Sequence, residues 1–328
     1  MPKPQRANGE NYIMQPLVSV VIATHNRPSL LIGAVLSVLY QTYPNVEIIV
    51  VDDYGNANTD TLKTLGVNYI NIPLTHWVSE NRNAGIRAAK GKYVAILDDD
   101  DYWFDYYLDT LIPVMEADPS IGFACANGYQ INTFGEEPTR QLFPQFREEM
   151  KGNLFIKMIW SCFTLPSLMI VRKDLLDKVD LYQNISGEDL ELIMRLASIT
   201  NIYYSPKECG VWYRRIDASS ASVVSQSTLK EKMRILPYQI KCLKDMVAFG
   251  ARHGRHFSFI ERTFIFLQTY FFECYVIAIH FLHDSPKRYK MLREACVEYP
   301  YLMPITLLTP LCKYSSVRKA GNRLKQLS

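Results

Sequence analysis

The chain has 328 residues, of which 48% are hydrophobic and 21% charged. That composition excludes a disordered chain, and at about 150 residues per domain the length suits roughly two domains. The net charge of +3 gives no ground for nucleic-acid binding, but it is unevenly spread. Residues 1–225 hold 19 Lys and Arg against 26 Asp and Glu, whereas residues 226–328 hold 17 against 7, so an acidic body is joined to a basic C-terminal part.

Residues 1–16 contain three prolines and read as a flexible tail with no apolar signal segment. Leu17 to Ala23 is a continuous β-branched run of the buried-strand type. Pro28 and Ser29 open a helix whose Leu31, Val35, Val38 and Leu39 keep helical spacing. Val46 to Val51 and Val67 to Ile72 are the next strands, and Asn81 to Lys90 is a helix ended by Gly91. Tyr93 to Leu97 is a fourth strand, followed at once by Asp98, Asp99, Asp100 and Asp101. Strands alternating with helices at this spacing predict βαβ units and a mainly parallel central sheet flanked by helices. Further strands are expected at Gly122–Ala126, Leu168–Val171 and Val211–Arg214, with loops over Tyr129–Met150. After Val224 the pattern is helical and aromatic. The division expected is a tail over 1–16, a catalytic domain over 17–225, and a helical C-terminal region over 226–328.

In an open α/β sheet, ligands bind beyond the carboxyl ends of the strands. Here Thr24, His25, Asn26 and Arg27 follow the first strand, Asp52 and Asp53 the second, and four aspartates the fourth. Consecutive carboxylates repel and raise one another's pKa unless a cation offsets them. A hard divalent ion, Mg²⁺ or Mn²⁺, shared with substrate phosphates answers that need. No Gly-rich phosphate loop is present, so a bound nucleotide must be held by carboxylates, a metal and side chains. Seven cysteines without a C-x-x-C form neither a disulfide framework nor a zinc ribbon, which points to a reducing, cytoplasmic setting. The pairs His253/His256 and His280/His283 lack accompanying carboxylates or cysteines, so no zinc site is expected. Trp160, Trp212 and Tyr129 suit either an acceptor groove or core packing.

The segments VSVVIATHNRP, VEIIVVDD, ENRNAGIRAAKGKYVAILDDDD and GEDLELIMRLA, in this order, resemble the family 2 glycosyltransferases over about Leu17 to Ser222. The resemblance implies a GT-A fold and an inverting, metal-dependent transferase acting on a nucleotide sugar, with UDP the expected nucleotide. It implies that Thr24, His25 and Asn26 lie near the nucleoside. Asp53, supported by Asp52, would then accept from the base imide, and Arg82 would lie near the diphosphate. It further implies that Asp98 faces the ribose and, with Asp100, the Mn²⁺ or Mg²⁺, with Asp99 between them. Asp189 falls at the general-base position, with Glu188 next in line, although acids in a first helical turn are also favoured by the helix dipole alone. Tyr213, Arg214 and Arg215 resemble the family's late Y-R-x-H-like segment, which implies donor contact for Arg214, and Ile216 stands where many of the family have His.

The implied acceptor is a glycan or polyisoprenyl-linked hydroxyl in bacterial surface polysaccharide synthesis. The basic stretch 313–328, after apolar Tyr301–Cys312, suits contact with the inner face of an anionic plasma membrane. A helical cap or homodimer interface is the other reading of this end. Two other functions share features with this sequence: a sugar-nucleotide nucleotidyltransferase, which wants a Gly-rich basic loop after the first strand that ATHNRPSLL lacks, and a non-catalytic nucleotide-sugar or glycan-binding module.

Overall fold

The computed structural model describes residues 15–75, 77–132, 137–185, 187–213 and 246–268. β1 (Val18–Thr24) is buried at all seven positions, as suits a mainly apolar strand covered on both faces, with Ser19 and Thr24 its two polar side chains. α1 (Pro28–Leu39) begins with Pro in its first turn, where the missing N–H costs nothing, and buries Leu31, Ala34, Val35 and Val38. β2 (Val46–Asp52), α2 (Thr59–Thr64) and β3 (Asn68–Asn71) follow, then α3 (Val78–Ala88) and β4 (Tyr93–Asp98). β5 (Tyr102–Trp103), α4 (Tyr107–Ala117), β6 (Ile121–Ile131), β7 (Arg140–Gln141) and β8 (Met150–Gly152) come next. The remaining elements are α5 (Phe155–Trp160), β9 (Met169–Arg172), α6 (Lys173–Leu176), α7 (Glu188–Ile199) and β10 (Asn201–Tyr213).

The described strands form one sheet in the order β3-β2-β1-β4-β9-β6-β10-β5, with β7 on β6 and β8 on β10. β3, β2, β1 and β4 pair in parallel. β9 is inserted antiparallel to both β4 and β6, so β6 and its parallel neighbour β10 run the same way as β4. The sheet is therefore mixed, but its long strands share one direction and present their carboxyl ends along one edge.

β6 and β10 are longer than their apolar runs suggest. β10 shifts register around Ser205–Glu208, where Ser-Pro-Lys-Glu interrupts the pattern; a proline is tolerated at such an irregularity. Within 129–150 the expected loops are accompanied by the end of β6, by two-residue β7 and by the start of β8. α4 carries Pro113 in its interior, which weakens its helical signature.

The chain divides into two compact units. The first takes residues up to 153 together with 163–184 and 200–214, and contains the sheet. Its core joins Val20, Ile22, Val35, Val50, Tyr93, Leu97, Leu111 and Ala124. The second takes 154–162, 185–199 and 215 onward. There α5 and α7 pack with helical residues 246–252 and 259–268. Phe155 meets Phe257 at 5.3 Å between ring centres, and the Arg195 guanidinium lies 5.7 Å from the Phe249 ring. No helix of the described residues is long and apolar enough to cross a membrane. Arg214, Ile216, Tyr301–Cys312 and the basic end 313–328 lie outside the described residues.

Candidate functional site

Three strand ends of the first unit bring the sequence-marked residues together. At the end of β2, Asp52 is fully buried. Its carboxylate accepts the N–H groups of Tyr54 and Gly55 at 2.9 Å, that of Ala57 at 3.1 Å and the Tyr69 hydroxyl at 3.0 Å. Burial alone would push its pKa up; these bonds outweigh burial and hold it below the usual carboxylate value. Asp52 thus folds the loop after β2, where Gly55 takes a φ of +77°.

Asp53 turns toward β1. One oxygen lies 2.7 Å from His25 Nδ1, and the other accepts the Thr75 hydroxyl at 3.1 Å and N–H at 3.3 Å. The exposed His25 ring stands edge-on to Tyr54, with centres 5.2 Å apart. His25, Asp53 and Tyr54 therefore form an open corner with two ring surfaces and a carboxylate, which is the chemistry a nucleobase needs. Asn26 adopts a φ of +54°, a left-handed conformation that Asn tolerates better than most residues. Its side-chain oxygen accepts from Asn56 at 2.7 Å.

At the end of β4 each aspartate has a distinct setting. Asp98 accepts the Arg82 guanidinium at 2.6 Å. Asp99 is buried and accepts the Thr24 hydroxyl at 2.7 Å and Arg27 at 2.9 Å. Arg27 also reaches Asp100 at 3.2 Å. Asp101 accepts the Ser167 hydroxyl at 2.5 Å, and Ser167 in turn takes the Asp98 N–H at 3.1 Å. Burial raises the Asp99 pKa in spite of Arg27 and Thr24. For Arg27, burial acts to lower the pKa, but the neighbouring Asp99 and Asp100 raise it overall.

Arg82 is held by the element that carries it. α3 packs on β1 so closely that a Cβ on Gly85 would sit 2.2 Å from Val21 Cγ1. Asn83 exchanges two hydrogen bonds with the Tyr182 backbone, at 2.8 and 2.9 Å. The Tyr182 ring lies 5.3 Å from the Arg82 guanidinium carbon. A buried arginine fixed this way presents its charge at one place.

Asp98 and Asp100 fit a hard divalent cation through their donor chemistry. Both are partly exposed carboxylates, and each faces a guanidinium, so the site already accommodates positive charge. No group of three or more His, Cys, Asp or Glu converges on a metal position among the described residues. Two carboxylates completed by substrate phosphates is the usual arrangement for Mg²⁺, and an oxygen-only set also suits Mn²⁺.

Residues 19–180 match the family model described as Glycosyl transferase family 2. This segment is a family 2 glycosyltransferase domain. The uncharacterized glycosyltransferase RC0461 of Rickettsia conorii is 31% identical over 204 residues, which cover 58% of this chain and 32% of that protein. The Escherichia coli protein named UDP-Glc:alpha-D-GlcNAc-diphosphoundecaprenol beta-1,3-glucosyltransferase WfaP is 34% identical over 117 residues, covering 34% of this chain and 46% of that one. The chain thus spans from a third to under half of the length of these relatives. Among solved structures, the mannosyltransferase PcManGT from Pyrobaculum calidifontis, in complex with GDP-Man and Mn²⁺, aligns with a TM-score of 0.52 at 14% identity. That alignment covers 92% of this chain and 87% of that one, and it shows the GT-A fold.

In the glycosyltransferase domain, Thr24, His25, Asn26, Asp52, Asp53, Arg82, Asp98, Asp99 and Asp100 all stand at the carboxyl edge of β1, β2 and β4 or on the facing α3. Arg214 lies outside the described residues. Glu188 and Asp189 occupy the first turn of α7 in the second unit, where one Asp189 oxygen accepts the Leu190 N–H at 2.7 Å. Thr75, Ser167 and Tyr182 are site residues that the sequence does not mark, and Arg27, marked only by its place after the first strand, gains its role as the partner of Asp99 and Asp100. Ser167 and Tyr182 come from distant segments with no local mark. Of the aromatic residues weighed for a groove, Tyr129 stands 6.3 Å from Phe104, Trp160 is exposed, and the Trp212 side chain lies outside the described residues.

Proposed function

We propose that the protein transfers a sugar from a nucleotide sugar, read as a UDP sugar, to a hydroxyl of a glycan or lipid-linked acceptor, with inversion at the anomeric carbon. The setting we read for it is bacterial surface polysaccharide synthesis, as the names of relatives such as WfaP suggest. The observation that carries the reading is the set of arginine-clamped carboxylates, Asp98 to Asp100, beside the His25–Asp53–Tyr54 corner on one sheet edge. A nucleoside diphosphate has a flat base at one end and two phosphates at the other. The corner suits the first and the charged cluster suits the second.

In this reading His25 and Tyr54 flank the base, and Asp53 accepts from its imide N–H. Asp98 and Asp100 hold the Mn²⁺ or Mg²⁺, which when bound neutralises charge on the diphosphate. Arg82 and Arg27 stabilise the charge that develops on the departing nucleoside diphosphate. The acceptor oxygen forms its bond to C1 as the bond from C1 to the diphosphate oxygen breaks, and attack from the far side inverts the centre. The Asp189 carboxylate takes the hydroxyl proton.

Calorimetry with UDP and Mn²⁺ tests the donor half. Asp100→Ala is expected to abolish the metal-dependent part of UDP binding, since one of two carboxylates toward the cation is lost. Unchanged affinity together with an unchanged metal requirement would sink the assignment. A screen of nucleotide sugars for metal-dependent hydrolysis then separates a transferase from a binding module, which would bind donors and leave them intact.

A further inference from the structure

The Asp53 carboxylate, 5% exposed, has little hydrogen-bonding capacity left for a ligand. Oδ1 lies 2.7 Å from His25 Nδ1. A ring nitrogen this close to a carboxylate oxygen carries its proton there, so His25 donates from Nδ1. Oδ2 accepts the Thr75 N–H at 3.3 Å, and the Thr75 hydroxyl oxygen stands 3.1 Å from it. The single proton of that hydroxyl also has the Trp77 carbonyl at 3.0 Å and Asn81 Oδ1 at 3.3 Å within reach. Wherever the proton points, the hydroxyl oxygen covers Oδ2. No other hydrogen bond reaches this carboxylate among the described residues.

A carboxylate has about four acceptor sites, two on each oxygen. His25 takes one site on Oδ1 and Thr75 closes Oδ2, so one site on Oδ1 stays open. Both donors are anchored. His25 stands edge-on to Tyr54, and Thr75 is bonded to the Trp77 backbone just ahead of α3.

Bases differ in what they offer a carboxylate. Uracil presents one donor, N3–H, between two carbonyls. Guanine presents two adjacent donors, N1–H and the N2 amino group, which want both oxygens in the bidentate manner of a guanidinium. Cytosine presents a bare ring nitrogen whose lone pair a carboxylate repels.

We infer that His25 and Thr75 set the base specificity of this site: by occupying Asp53 they leave a single acceptor position, which takes a uracil imide and refuses guanine. This role rests on the His25–Asp53–Tyr54 corner being the base site, and it can fail while that reading stands.

The experiment is calorimetric titration of the full chain with UDP, GDP and CDP, each with Mn²⁺. The wild type is expected to prefer UDP to either rival by about a hundredfold or more. His25→Phe keeps a ring beside Tyr54 and removes the donor. It should hold UDP affinity within about threefold and tighten GDP about tenfold, the worth of one hydrogen bond to a charged group. His25→Phe/Thr75→Ala uncovers both oxygens and should tighten GDP further. His25→Asn restores a donor without the ring and should keep GDP excluded. CDP should stay weak throughout, because every variant still offers it a carboxylate. UDP binding retained by the His25→Phe variants shows in the same titrations that the corner is folded. An unchanged UDP-to-GDP ratio in His25→Phe/Thr75→Ala overturns the inference and leaves the base-site reading in place. A wild type that binds GDP as well as UDP overturns it, as does loss of UDP binding in His25→Phe. GDP and CDP tightening together overturn it in favour of a corner merely loosened by substitution. Absence of UDP binding by the wild type takes the base-site reading down with it.

Discussion

Asp52 shows how much of a motif is architecture. Three of its hydrogen bonds fold its own loop and the fourth, from Tyr69, ties that loop to β3, and its pKa is held down because those bonds outweigh burial. A carboxylate whose pKa is lower in the folded than in the unfolded state stabilises the fold above about pH 4, and that stability is lost as pH falls through the folded value. Asp52→Asn places an NH₂ among donors and is expected to cost about 2–3 kcal/mol at pH 7. Denaturant titrations should show the wild-type advantage shrinking below about pH 4 while the variant stays flatter there. Tyr107 is the converse. Its ring is buried against Trp103 at 4.3 Å, its hydroxyl finds no partner among the described residues, and burial drives its pKa well up. Tyr107→Phe should leave stability unchanged or raise it by about 1 kcal/mol, because no hydrogen bond is lost. A thermal or denaturant midpoint that falls instead would reveal a bond to the hydroxyl.

At the scale of elements, α3 aims the site. Its contact with β1 depends on Gly85, since a methyl there would lie 2.2 Å from Val21 Cγ1 inside the core. Gly85→Ala gains up to about 1 kcal/mol of helix propensity but overpacks by about 1–3 kcal/mol, so the clash wins. The variant should melt lower and bind UDP more weakly, because Arg82 lies one turn before Gly85 on the same helix. Adding Val21→Ala should recover part of the UDP affinity by making room. α7 carries Asp189 in a first turn that also holds Glu188 and Glu191. Glu191 pairs with Arg195 at 2.6 Å, a structural use of its charge. Asp189→Asn should leave donor affinity nearly intact and cut turnover by roughly 10²–10⁴-fold. Turnover close to wild type would move the base elsewhere, with Glu188 the next candidate.

For the whole molecule, the second unit gathers pieces far apart in sequence. α5 and α7 lie before residue 200, yet they belong with helical residues 246–252 and 259–268. Phe155 packs on Phe257, and Arg255 stacks on Phe155 at 5.3 Å. A chain ending at residue 225 would leave Phe155 without Phe257 and Arg255, and Arg195 without Phe249. It is expected to aggregate or to show a lower and broader melt than the full chain by differential scanning calorimetry. A sharp, unshifted transition would show that residues up to 225 fold alone.

The sequence by itself determined the strands of the nucleotide half and the edge on which they end. β1, β2 and β4 are mainly apolar runs broken only by Ser19 and Glu47 near their starts, and each ends in polar residues, so local pattern and strand ending coincide. It also carried the resemblance to the family 2 glycosyltransferases, through the aspartate run and the strand-end segments in their order. Tertiary structure alone decided what each carboxylate faces. Arg27 bridges Asp99 and Asp100, Arg82 meets Asp98, and Ser167, distant in sequence, takes Asp101. Those pairings depend on the register of β1 against β4 and on the arrival of the Pro166–Leu168 turn ahead of β9. The length of β10 escaped the local pattern for the same reason: pairing with β6 carries the strand through Ser-Pro-Lys-Glu, a segment whose own preference is to turn.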